Sequence, residues 1–394
     1  MSRDSEPLLL PKGDRLEYAV ASVFQGQSYL VRRGVPLRYG PQGQDATDID
    51  VLGIRFTPPF QAHRIICDCK EKQRSKPYER IFWAKGLASF VKAAETYVAL
   101  PKSNLEITTF SKSGGVRVLT QALVQDSLNK LCGTTNGAGY GLANGSFAEP
   151  LQRRLAGLLK KEKVAAKIYF DVRSLYLVED PYVSLNICIA HLATATSMLK
   201  VANTLGHDLL ELWRVIAADL IVLVSLLLLY IAADTVVLSK TDRTRHILQK
   251  LTYGDISPDK AEDIFRISQE LAHEATKALV PGTSPTSLLP FNLGRIEPPS
   301  YADGIVGLVE RAINSPSLYY ELPQLVDFLL FEQALQGRGF SDVDYRKRFP
   351  TLEPDERLKV ARNIFHFLKD FAGLDSKIFW PAQDNNLPRV NHVA

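Results

Sequence analysis

The chain has 394 residues, 46% of them hydrophobic and 23% charged, and a formal net charge of +4. This is an ordinary composition for a soluble globular protein, long enough for two domains, with too little excess charge to mark the whole chain as a nucleic-acid binder. The four cysteines lack zinc-ligand spacing and fit reduced thiols in a cytoplasmic protein; the charged N-terminus has no secretory apolar core.

Thr47-Asp48-Ile49-Asp50-Val51-Leu52-Gly53 and Ile65-Ile66-Cys67-Asp68-Cys69-Lys70 alternate or run apolar with β-branched residues, the pattern of strands. Between them, Pro58 and Pro59 break strand and predict a turn that also takes in His63. A fold-back about Phe60 sets Asp50 opposite Lys70, with Asp68 one diagonal step from Asp50, within about 7–8 Å between backbones. Alternation then puts Ile66, Asp68, Lys70 and Lys72 on one face and Ile65, Cys67, Cys69 and Glu71 on the other. Asp48 shares the face of Asp50 and competes with it, but strand symmetry favours Asp50. Two carboxylates and an ammonium converge on one patch. Two carboxylates and a main-chain carbonyl can hold Mg²⁺ with positions left for water and a phosphate oxygen. A lysine beside them can place that water and stabilise developing negative charge, the requirements of phosphodiester hydrolysis.

Downstream, Lys76 to Ala94 reads as a helix, Thr96 to Pro101 as a strand, and Leu105 to Ser113 as a helix stopped by Gly114 and Gly115. Val116 to Thr120 reads as a last strand. Residues 1–125 hold 18 Lys and Arg against 12 Asp and Glu, and Lys70, Lys72, Arg74, Lys76, Arg80 and Lys85 cluster just after the patch. Such a cluster can grip phosphates. The glycine-rich, polar Cys132 to Ser146 matches neither the P-loop nor the Rossmann spacing and reads as a linker. Beyond it, helical patterns recur at Ala148 to Lys163, Leu185 to Leu205, Asp208 to Ser239, Pro258 to Leu279, Tyr301 to Asn314, Leu322 to Gly337 and Pro354 to Phe371. Residues 220–233 are apolar all round and bounded by Asp219 and Asp234; they fit a buried core helix better than a membrane segment.

The first third of the chain resembles the PD-(D/E)xK, or restriction-endonuclease-like, nucleases. In that superfamily a helical Glu precedes an Asp on one strand and acid-x-Lys on the next. Glu17, within Leu16 to Phe24, fits the first place. Asp50 fits the second, since Asp48-Ile49-Asp50-Val51-Leu52 resembles the family's frequent wording, and Asp68 with Lys70 fits the third. The usual Pro before the strand Asp is absent, and the last acid is Asp rather than Glu. The resemblance implies Glu17, Asp50, Asp68 and Lys70 as the catalytic set. Asp50, Asp68 and the Cys69 carbonyl would hold Mg²⁺ (or Mn²⁺), with Glu17 orienting water or a second ion. The α-β-β-β-α-β-α-β order is the superfamily core.

These readings set the expectations. Residues 1–128 form an α/β restriction-endonuclease-like domain, 129–147 a linker, and 148–394 a mostly α-helical domain. The expected function is a metal-dependent endonuclease acting on nucleic acid, DNA favoured, in restriction or antiphage defence. Lys72, Arg74, Lys76, Arg80 and Lys85 would contact the substrate. The helical domain would bind a second copy or a partner protein, with membrane contact through 220–233 the less favoured reading. The alternative function is a catalytically silent nucleic-acid-binding or assembly subunit that keeps the fold.

Overall fold

In the computed structural model, which describes residues 12–39, 44–70, 76–132, 139–279, 297–350 and 353–380, five strands form one mixed sheet in sequence order. The elements are α1 (Lys12–Gly26), β1 (Leu30–Tyr39), β2 (Gln44–Thr57), β3 (Gln61–Cys69), α2 (Pro77–Phe90), β4 (Glu95–Leu100), α3 (Leu105–Ser113) and β5 (Val116–Thr120). Strands β1 to β3 pair antiparallel, while β4 and β5 join parallel. Parallel neighbours need a crossover, which α2 and α3 supply. This is the expected element order.

The centre of the hairpin differs from expectation by one residue, and the pairing therefore by two. Thr57 pairs with Gln61 and Val51 with Cys67, so the hairpin closes on Pro59 rather than Phe60. Carried one step further, the register sets Asp50 opposite Asp68, not opposite Lys70. Phe60 is drawn into the core, where its ring lies 5.1 Å from that of Tyr320. His63 falls not in the turn but in β3 opposite Arg55. Its Nδ1 hydrogen-bonds Tyr29 Oη at 3.0 Å, and its Nε2 faces Glu95 at 3.5 Å.

Both faces of the sheet are covered, which is why β2 and β3 read as near-continuous apolar runs. Ile65, Cys67 and Cys69 meet Leu16, Val20 and Phe24 of α1 on one side. Ile66, Leu52, Ile54 and Phe56 meet the helical region on the other, and α2 and α3 cover Val98, Leu100 and Val116. Cys67, Cys69 and Cys188 are free and buried.

The helical region comprises α4 (Gln121–Cys132), α5 (Gly145–Leu159), α6 (Lys163–Leu175), α7 (Pro181–Leu205), α8 (His207–Thr235), α9 (Lys240–Tyr253), α10 (Pro258–Leu279) and α11 (Ala302–Asn314). It continues with α12 (Pro316–Tyr319), α13 (Leu322–Asp327), α14 (Asp342–Arg348) and α15 (Pro354–Ala372). Helices α4, α6, α9, α12 and α14 are additional to those expected. The helix expected over 322–337 is instead α13 followed by a π-helical segment, Phe328–Gln333, and a 3₁₀ turn, Ala334–Gln336. Helices Pro181–Ala202 and His207–Thr235 are long and apolar enough to cross a membrane, but the apolar window of the second is 94% buried inside the protein. It is hydrophobic all round because α6, α7, α11 and α13 surround it.

The segment expected as a linker is a packed junction where it is described. Residues 133–138 lie outside the described residues. Gly139 N–H donates to Ser22 Oγ, Tyr140 exchanges two backbone bonds with the Gln25 side chain, and Gly141 N–H donates to Glu332 at 2.8 Å. One apolar core therefore runs from β1–β3 into α6, α8 and α13.

Across that core runs one buried ionic contact. Arg32 of β1 donates through Nε to Asp219 of α8 at 3.0 Å, and its Nη2 lies 2.8 Å from Asp327 at the end of α13. Tyr176 donates to the same Asp219 oxygen at 2.6 Å, and its ring and that of Phe331 flank the guanidinium. One cation cannot neutralise two buried carboxylates. Burial pushes the Asp327 carboxyl up to about 6 against the opposing pull of Arg32. Because its folded pKa lies above its unfolded value, the stability it contributes is complete at acid pH and is lost as pH rises through about 6. Asp327→Asn is therefore expected to flatten the stability change across that window in urea titrations. Arg32→Met, which strands two carboxylates, is expected to cost about 3–5 kcal/mol at neutral pH.

Candidate active site

The sheet brings Asp50, Asp68 and Lys70 together. Lys70 Nζ lies 3.3 Å from Asp50 Oδ2 and 3.6 Å from Asp68 Oδ1, and Arg80 Nη1 of α2 also lies 3.6 Å from Asp68 Oδ1. The backbone explains the gathering. The β2–β3 ladder ends at Val51 and Cys67, so the Cys69 N–H has run out of strand partners and donates to Asp50 Oδ2 at 2.7 Å. Lys70 N–H points the other way and donates to Ala99 O of β4, which fixes the base of its side chain.

Asp68 is only 8% exposed, and its Oδ2 is buried without a hydrogen-bond partner among the described residues. Burial raises its pKa; Lys70 pulls it back and Asp50 pushes it up again. Burial alone would lower Lys70, but Asp50 and Asp68 outweigh it and hold the ammonium above the usual lysine range. Lys70 is thus a fixed cation at neutral pH, suited to orienting a water or stabilising an anion and not to removing a proton. The Cys69 thiol is raised by its contact with Cys67, 3.7 Å away, and by burial, so it stays neutral and is no nucleophile.

Glycine shapes the approach to Asp50. The β1–β2 register sets Gly34 opposite Asp50, and Gly34 has φ +54, where an L side chain is strained. Strand alternation slips here: Ile49 and Leu52, an odd number of residues apart, enter the same core. Arg173 of α6 caps the distorted edge, donating to Arg33 O and, at 3.0 Å, to Gly34 O.

Glu17 lies on α1 as expected, but it engages a different partner from the one its role requires. Its carboxylate accepts from Arg33 Nη2 at 2.7 Å. With Arg33, Asp48, Gln152, Phe170 and Arg173 it lines a cavity of about 300 Å³ beside the site. Its charge also reaches the Cys69 thiol, as does that of Asp50. Of the expected substrate contacts, Arg80 joins the site, Lys76 is exposed and paired with Glu79 at 2.7 Å, and Lys85 is exposed on α2 near Gly115. Lys72 and Arg74 lie outside the described residues. Sequence reasoning misses Arg33 and Arg173, whose roles depend on a β1 distortion signalled only by Gly34.

Comparison with known protein families, with curated proteins and with solved structures found no match.

Lys70 is what allows two carboxylates to face each other here. In Lys70→Met the Asp68 carboxyl is expected to rise further, under burial and Asp50 unopposed by the ammonium. A folded pKa above the unfolded one means stability held at acid pH and lost as pH rises. The variant should therefore lose more stability than wild type between the ordinary Asp range at about pH 4 and about pH 7. Denaturant titrations at both values check this, and an equal change in the two proteins would contradict it.

Proposed function

We propose that this protein is a divalent-metal-dependent nuclease that hydrolyses phosphodiester bonds, DNA favoured, at Asp50, Asp68 and Lys70. The observation that carries the reading is the buried, unpartnered Oδ2 of Asp68 beside a second carboxylate. A buried carboxylate oxygen without a donor is costly unless a cation or donor meets it. Among the described residues, no three His, Cys, Asp or Glu side chains are grouped to hold a metal. Two carboxylates with a main-chain carbonyl are nevertheless a donor set that fits Mg²⁺, which keeps several waters.

In this reading Asp50, Asp68 and the Cys69 carbonyl hold the ion. A bound divalent ion supplies charge withdrawal from the phosphate and a more acidic attacking water. Asp50 stays aimed by the Cys69 N–H, and Lys70, a permanent ammonium, orients the water and stabilises charge on the phosphate oxygens. Arg80 provides a second cation for the substrate phosphate. The water oxygen adds to phosphorus, a P–O ester bond breaks, and the leaving oxygen takes up a proton. A place in restriction or antiphage defence rests on the family resemblance alone.

Binding without turnover is the second reading, and it is favoured by the engagement of Glu17 with Arg33. A cleavage assay separates the two, with plasmid, linear duplex, single-stranded DNA and RNA as substrates in Mg²⁺, Mn²⁺ or EDTA. Metal-dependent cutting is expected, lost in Asp68→Ala and reduced about a hundredfold or more in Lys70→Ala. Unchanged cutting by folded variants would sink the nuclease reading. A protein that cuts nothing but binds DNA in a salt-sensitive way would support the second.

A further inference from the structure

Helix α2 turns Ile81, Ala84 and Ala88 into the protein, and its outer face is unusually aromatic. Phe82 is 68% exposed, Trp83 49% and Phe90 63%. Soluble proteins rarely leave three large aromatic side chains in water on four turns of helix without a use for them. The Phe82 ring is steadied from beneath by Phe110 of α3, edge to face at 5.5 Å.

Gly86 lies among these rings, four residues after Phe82, three after Trp83 and four before Phe90. A mid-helix glycine weakens a helix, and packing does not require this one: an added Cβ would meet no atom within 4 Å. What the glycine provides is a flat stretch of exposed helix between aromatic walls. An occupant that uses it has to be planar, with an apolar face.

The charge around the platform is cationic on the side nearest the candidate active site. Arg80, one turn before Trp83 on the same helix, reaches Asp68 at 3.6 Å. Lys76 and Lys85 flank it, against Glu79 on α2 itself and Glu106, which accepts from Tyr78 at 2.9 Å on α3. A guanidinium for phosphate followed along one helix by exposed rings is the pattern with which proteins hold unpaired nucleotides, each base stacking on an aromatic face. A duplex buries its base faces in its own stack and cannot use such rings.

We propose that α2 is a base-stacking platform for single-stranded nucleic acid, in which Arg80 meets the backbone next to the scissile phosphate and Trp83, Phe90 and the flat at Gly86 hold the neighbouring unpaired bases. This rests on the nuclease reading for the direction of the strand, but the binding itself needs no cleavage.

The test is fluorescence anisotropy of the full chain in EDTA, where no cutting intrudes. The probes are labelled oligodeoxythymidylate, its ribonucleotide counterpart and a hairpin duplex of equal length. Wild type is expected to bind a single strand more tightly than the duplex. Trp83→Ala should weaken single-strand binding about tenfold, in the range of one base–aromatic stack, and leave duplex binding unchanged. Trp83→Phe should restore most of the loss, and Phe90→Ala should act in the same direction. Both positions are exposed, so thermal melts should be unaltered. Three results overturn the proposal: no single-strand binding by wild type, wild-type affinity in Trp83→Ala, or an equal loss on duplex. So does a wild-type dimer that Trp83→Ala splits without altering DNA affinity, since the face would then belong to a second copy. Single-strand binding lost in Trp83→Ala, by a protein that cuts nothing in any metal, leaves the platform standing and removes the nuclease. Metal-dependent cutting by a protein whose Trp83→Ala form binds normally does the reverse.

Discussion

A buried guanidinium ties β1 to two helices, α8 and α13. Arg32 reaches from the start of β1 to Asp219 in the middle of the most apolar helix and to Asp327 where α13 widens into a π-helical segment. Each acid is unfavourable where it sits unless Arg32 is there, and Arg32 is unfavourable without them. The contact therefore specifies which face of β1 meets α8, and at what height. Two residues later the same strand reaches Gly34, so the grip on Arg32 also sets where the strand distorts and hence how Asp50 is presented. The carbonyls exposed by that distortion are taken by Arg173, from the helix that ends just before Arg32's own neighbour Tyr176.

The candidate site works by a related imbalance on the other side of β2. Two carboxylates and two cations share a half-buried space, yet one carboxylate oxygen is left with no donor among the described residues. Lys70 lowers the repulsion between the acids without satisfying both. A structure selected for stability alone would fill that gap with a hydrogen bond or an apolar side chain.

Much of this architecture is legible in the amino-acid sequence. The strands that carry Asp50 and Asp68 with Lys70, and the helix-strand-helix-strand run after them, follow from periodicity and spacing, because short-range alternation is local physics; the strand before Asp50 is implied by the family resemblance alone. The partner across the hairpin is not legible, since a turn with two prolines can close on either of adjacent residues; the observed register is centred on Pro59. Glu17 does lie on its helix, but helical position does not say which charge it will meet, and Arg33 takes its carboxylate. The domain boundary misleads for a different reason. Glycines and small polar residues look like a linker when read alone, and only the packed neighbours Ser22, Gln25 and Glu332 show that this backbone is held. Asp219 and Asp234 look like the ends of an apolar run; one is the centre of the ionic contact, and the other is bonded by Tyr182 and His246.

The continuous core has a consequence for how such a protein can change over evolutionary time. Leu30, Leu52, Ile54, Phe56 and Ile66 are covered by helices that come a hundred or more residues later in the chain. A recombination event that moved the first third of this sequence onto another protein would carry a bare apolar sheet face and an unpaired Arg32 with it. The candidate site and its helical cover therefore travel together. New specificities have to arise by substitution on exposed surfaces such as the outer face of α2, not by exchange of whole modules.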